Sequence, residues 1–268
     1  MFTTPMWTWG VLMRVDMLSI FLTVCGVALF VLARSKPALA FLSFCLFVAA
    51  VYTKQTSFAG PIACIVLDFI DKPRRALQLA AFSTVLGLAF LAMLYSATNG
   101  VFLRHIITYN QNPYRPEQIL GRLQYHGSYL MGPLVFSAIF APARLRRPRT
   151  RLLRRLRIIL RRTVFERNVL VVSLYFFVSF LIAAATISKQ GASDNYFLEM
   201  DVAACWLTGL LIAWLARRMS FKPRRGFALL QVVVVLVLLL QCVVNWRTVA
   251  AIARTYEHPP IDQSHEVV

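Results

Sequence analysis

Long apolar runs separated by short, strongly basic loops constrain this chain more than any other feature. The run 17–33 carries no charged residue and ends at Arg34 and Lys36. Similar runs recur at 37–52, 57–70, 76–95, 120–141, 168–186, 197–216 and 227–244. A helix crossing a bilayer core of ~30 Å needs roughly 20 residues. Lipid leaves no water for the backbone, so a spanning segment must satisfy its own N–H and C=O groups. The composition agrees, at 59% hydrophobic and 15% charged residues, where a soluble domain carries about 25% charged residues. The expectation is an all-α, polytopic transmembrane helical bundle of about eight spanning helices. Residues 1–245 form one transmembrane domain, and 246–268 form a polar, disordered tail.

The 37–52 and 57–70 runs are short for a bilayer, and Gly60 and Pro61 interrupt the second. Between 142 and 167, eleven arginines alternate with Leu152, Leu153, Leu156, Ile159 and Leu160 at helical spacing. This reads as a basic amphipathic helix lying on anionic membrane lipid. The net charge of +18 raises nucleic acid as a partner, but the stretch lacks interleaved aromatics, so no nucleic-acid partner is expected. The five cysteines all lie in apolar runs without ligand spacing. They read as small core residues. No cofactor is expected, and a divalent metal is not indicated.

Eight spans place alternate loops on the same side. One side then holds 21 of the 29 Lys and Arg residues and is cytoplasmic by the positive-inside rule. The unusual polar clusters gather at the other, outer face: Arg14 with Asp16, Lys54 with Gln55, the segment 104–126, and the loop 187–201. That last loop carries Lys189, Gln190, Asp194, Asn195, Tyr196, Glu199 and Asp201. Carboxylates at the mouth of a membrane helix are costly unless they face protein, water or a ligand.

Each of these residues also has a plain structural reading. Asp16 suits a helix N-terminus or an ion pair with Arg14. Lys54 and Lys189 can snorkel to the interface. Asn195, Tyr196 and Glu199 can form a loop-to-helix cap. His105 and His126 read as structural. The functional reading is recognition of a phosphate-bearing lipid headgroup. Arg14, Arg104, Lys54 and Lys189 would hold phosphate, and a carboxylate would act as general base toward a hydroxyl acceptor. Asparagine and tyrosine would bind a sugar, with Tyr109, Tyr114 and Tyr196 as stacking candidates.

Three elements carry a resemblance: Arg14-x-Asp16 before a helix, Lys54-Gln55-Thr56 after the next, and Gly191-x-x-x-Asn195-Tyr196-x-x-Glu199 in a late outer loop. In order and shared face they resemble membrane glycosyltransferases of the GT-C superfamily. The branch is that of the protein O-mannosyltransferases, lipid A aminoarabinose transferase and rhizobial lipopolysaccharide sugar transferases. The resemblance implies an inverting transfer of a sugar from a polyprenyl-phosphate donor to a glycan, lipid or protein acceptor at the outer face of a bacterial inner membrane. It implies Asp16 as the best available catalytic base, with Arg14, Lys54, Gln55, Arg104, Lys189, Asn195, Tyr196 and Glu199 binding donor or substrate. Family members begin with a spanning helix and a large outer loop bearing the catalytic aspartate. This sequence starts at what corresponds to a later family helix, so an N-terminally truncated form is expected. The alternatives are a transporter or flippase of a lipid-linked substrate, which would show broken helices near the midplane, and a non-catalytic membrane subunit.

Overall fold

The computed structural model describes residues 15–34, 36–108, 113–121, 124, 163–189, 194–219, 236 and 243. Among them the chain is helical, in seven α-helices and two short 3-10 turns, with one isolated β-bridge. The helices are α1 (Val15–Leu32), α2 (Pro37–Thr53), α3 (Ala59–Asp71), α4 (Pro73–Ala97), α5 (Val101–Ile107), α6 (Val164–Thr186) and α7 (Leu198–Met219). Three of them, α1, α4 and α6, are long and apolar enough to cross a membrane. The fifth and eighth expected runs, the basic stretch 142–162, Arg14, Tyr109, His126 and the tail lie outside the described residues or almost wholly so.

Local chemistry explains most boundaries. Pro37 and Pro73 stand at the first positions of α2 and α4, where a missing N–H costs nothing and the fixed φ suits a helix. Pro61 lies in the first turn of α3, beside Gly60. The pair therefore starts the helix and does not interrupt it, which corrects the expected break. Asn99 and Gly100 adopt positive φ values of 49° and 79°, and this left-handed turn separates α4 from α5.

The sixth helix also needs a correction, because it begins at Val164 and not near 168. The Thr163 hydroxyl accepts a hydrogen bond from the Glu166 N–H at 3.1 Å. This is half of a Thr-x-x-Glu capping arrangement, which satisfies a backbone donor with no partner within the helix. Arg167 therefore belongs to the bundle, not to an interfacial basic helix.

The core lies where α1, α2 and α3 meet α6 and α7. Phe30, Phe44, Phe47, Tyr175, Phe197 and Leu207 are among its buried side chains. Phe44 meets Phe30 and Phe47 edge-to-face, at 6.5 and 5.2 Å between centroids, a geometry aromatic rings favour. Gly26 and Gly60 flank Phe47. A Cβ at either position would come within 2.5 Å and 2.9 Å of its ring, so these glycines set how closely α1 and α3 approach α2. Buried hydroxyls tie the same helices together. Ser43 donates to the Gly26 carbonyl at 2.7 Å, Ser19 donates to the Ala50 carbonyl at 3.1 Å, and Ser19 pairs with Ser57 at 2.5 Å. Such bonds satisfy the hydroxyls where water is excluded. By contrast, α4 leaves much of its surface exposed, including Leu77, Val85, Leu88 and Met93.

Candidate functional site

Helix direction brings distant parts of the sequence to one end of the bundle. The start of α1, the end of α2, the start of α3 and the start of α7 all lie there. Asp16 occupies the first turn of α1 and is buried. A carboxylate suits that position because the N-terminal end of the helix dipole is positive. Its ion-pair partner is Lys54, immediately after α2. The Lys54 ammonium also donates to the Asn195 carbonyl at 3.3 Å and sits 5.1 Å from the centroid of the Tyr196 ring. The Asn195 side-chain amide donates to both Asp16 oxygens, at 3.3 and 3.2 Å. Thus one carboxylate is shared by an ammonium and an amide, and the ammonium rests against an aromatic face.

Beside this group is a small crevice. It is lined by Ile20 of α1, by Lys54, Thr56 and Ser57 of the α2–α3 turn, by Ser179 and Ile182 of α6, and by Asn195, Tyr196 and Glu199. It has room for about one water molecule. Glu199, in the first turn of α7, lies beside the Tyr175 hydroxyl and within electrostatic reach of Lys54. Its buried Oε1 makes no hydrogen bond of ordinary geometry among the described residues. Asp201, two residues on, is fully buried. Partial burial, with the Asp16 carboxylate nearby, pushes the Tyr196 phenol above its ordinary value, so its hydroxyl stays neutral and able to donate.

The structure brings together Asp16, Lys54, Asn195, Tyr196 and Glu199. It places the other described candidates elsewhere. Gln55 is exposed in the turn after Lys54, and Arg104 is exposed on α5. Neither lines the crevice. The Lys189 backbone forms a bridge with Tyr114, and the Arg115 N–H donates to the Ser188 carbonyl at 2.8 Å. These contacts tie the 113–116 segment to the 187–189 loop. His105 is also exposed on α5. Ser57, Ser179 and Tyr175 were not singled out by sequence. Tyr175 and Ser179 are four residues apart on α6 and therefore share a face, a signal present within an otherwise apolar run.

The expectation that the unusual polar clusters, carboxylates included, gather at one face also needs correction. Asp68 and Arg75 form a two-pronged ion pair at the opposite end of the bundle, with the Arg75 Nε 2.6 Å from Asp68 Oδ2. Arg75 donates as well to the Ala33 carbonyl at 3.1 Å, and Lys72 donates to the Arg34 carbonyl at 2.8 Å. Burial, reinforced by the neighbouring Arg75, holds the Lys72 ammonium below its ordinary value. Among the described residues, no group of three or more His, Cys, Asp or Glu is placed to hold a metal ion. No family model, curated protein or solved structure matches this chain.

Proposed function

We propose that this chain is a multi-pass membrane glycosyltransferase that moves a sugar from a polyprenyl-phosphate donor to an acceptor at the outer face, within a bundle of about eight spans. One observation carries this reading. Asp16, Lys54 and Asn195, distant in sequence, share one hydrogen-bonded group, and Tyr196 and Glu199 border the same crevice. These are the residue types that the transfer needs. Lys54 would contact the donor phosphate as a point charge. Asn195 and Tyr196 would hold the sugar, and Glu199 would border it. Asp16 would take the proton from the acceptor hydroxyl as the new bond to the anomeric carbon forms. The anomeric carbon–oxygen bond to phosphate breaks in the same step, and polyprenyl phosphate leaves with its added negative charge facing Lys54. In this scheme the donor phosphate draws Lys54 away from Asp16, which frees the carboxylate for its role as base.

The test uses the full chain in lipid vesicles with a panel of polyprenyl-phosphate sugars, and measures release of polyprenyl phosphate. Release by the wild-type chain is expected. Asp16→Asn should lower it about 100-fold or more, and Lys54→Met should weaken donor binding. A wild-type chain that neither releases nor binds polyprenyl phosphate sinks the reading.

A further inference from the structure

Arg167 is the residue whose surroundings fit its charge least well. It is only 4% exposed. It sits in the first turns of α6, where the helix dipole is positive and disfavours a cation. Arg75, a second cation, and Asp68 act on it electrostatically. Asp68, however, has both oxygens engaged by Arg75. Among the described residues the Arg167 guanidinium makes no ion pair and donates no hydrogen bond. Its described contact is with the face of Phe30, 4.8 Å from the ring centroid. A guanidinium has five N–H donors, and unmet donors on a largely buried side chain favour a ligand rich in acceptors. The ring contact orients the fork but accepts none of its hydrogen bonds.

The other groups at this end reinforce the imbalance. Lys72 lies within electrostatic range of Arg167, and Arg34, whose carbonyl accepts from Lys72, is exposed at the same end. Asp71 and Glu166 are the remaining carboxylates here; Asp71 also acts on Arg167, more weakly than Asp68 does, and both have further interactions. Cys64, fully buried beside Arg167 and Asp68, is a weak hydrogen-bonding group. An anion with several acceptor oxygens matches this setting better than any neutral ligand. Phosphate oxygens fit the guanidinium fork two at a time, and the N-terminal end of α6 adds a favourable field.

We infer that Arg167, with Lys72 at its edge, forms a binding site for a phosphate group at the basic end of the bundle, separate from the Asp16–Lys54 crevice. The phosphate is carried by an anionic bilayer lipid or is free in solution, and the chemistry of recognition is the same for both. The site does not depend on the glycosyltransferase reading.

The experiment is thermal unfolding of the full chain, purified and delipidated in a neutral detergent. Phosphatidylglycerol, diacylglycerol as a phosphate-free control, or inorganic phosphate is then added. Phosphatidylglycerol should raise the unfolding temperature and diacylglycerol should not. Apparent affinity should fall about tenfold in Arg167→Gln, the loss expected for a charge-assisted hydrogen bond. Arg167→Lys keeps the charge without the fork and should fall between the two. An equal rise with inorganic phosphate assigns a soluble source, whereas a rise with phosphatidylglycerol alone assigns the lipid. Should Arg167→Gln fail to fold, Lys72→Gln serves in its place, with an expected loss of about threefold. The same response in wild type and variants, or no response to either phosphate compound, overturns the proposal.

Discussion

The two ends of the bundle each bury a carboxylate against a cation, yet they are built differently. At the basic end, Asp68 and Arg75 lie seven residues apart, on either side of the tight turn between α3 and α4. The pair is bidentate, and the cation is further pinned by the Ala33 carbonyl. At the other end, Asp16 comes from α1 and Lys54 from the turn after α2, and they meet through a single ammonium. Asn195 is brought in from a third segment, and a crevice adjoins the group. A two-pronged guanidinium pair has its geometry fixed by both partners. A point-charge ammonium on a flexible stem can change partners with little rearrangement. The first arrangement suits a joint between helices, and the second suits a site that must exchange one anion for another.

The largest effect should come from breaking the joint. Arg75→Ala would leave Asp68 buried, its side chain only 2% exposed, without its main cation. Removing one partner of a buried pair costs about 3–5 kcal/mol. Because Asp68 joins α3 to the start of α4, the loss should appear as lowered stability of the whole bundle. Chemical or thermal unfolding in detergent measures it. A cost under about 1 kcal/mol, the range of exposed pairs, would place this end on the same footing as a surface contact and remove the contrast.

That contrast was only partly legible in the sequence. The apolar runs marked α1, α2, α3, α4, α6 and α7 to within a few residues, because a helix with little polar surface needs a continuous apolar stretch. Asp16, Lys54 and Asn195 could be placed at one end, because helix direction follows from alternation. What the runs do not encode is the face on which a boundary residue points. Gln55 follows Lys54 directly yet faces outward, and Arg104 occupies an exposed face of α5. Asp68 was hidden because it lies inside an apolar run, and its partner looked like one more basic loop residue. Arg167 was masked by the arginines before it, and the Thr163-x-x-Glu166 cap that starts its helix went unread for the same reason.

A smaller effect should follow from Lys54→Met. Lys54 has a side-chain exposure of 18%, and Asp16 keeps its two bonds from Asn195. The stability cost should therefore be about 1–3 kcal/mol, below that of Arg75→Ala. Binding of the proposed polyprenyl-phosphate donor, by contrast, should suffer far more than stability does. If the two substitutions prove equally destabilising, the crevice end is a second joint, and exchange of Lys54 between carboxylate and phosphate loses its basis.

The smallest effect sharpens the contrast further. Asn195→Ala removes two bonds to Asp16, each longer than 3.1 Å, while Lys54 retains the carboxylate and still reaches the residue-195 backbone carbonyl. The expected cost is about 1 kcal/mol, measured by the same unfolding assay. Arg104→Ala is the reference, because an exposed residue away from any cluster should change stability by less than about 0.5 kcal/mol. The comparison turns on additivity. With Lys54 present, the ammonium holds Asp16 and the amide is a secondary donor. In the Lys54→Met background the amide is the main remaining donor to a buried carboxylate, so Asn195→Ala should cost more there than in the wild type. Such coupling marks residues that share one partner. If the two costs simply add, Asn195 and Lys54 act on Asp16 independently, and the three residues are neighbours without being one unit.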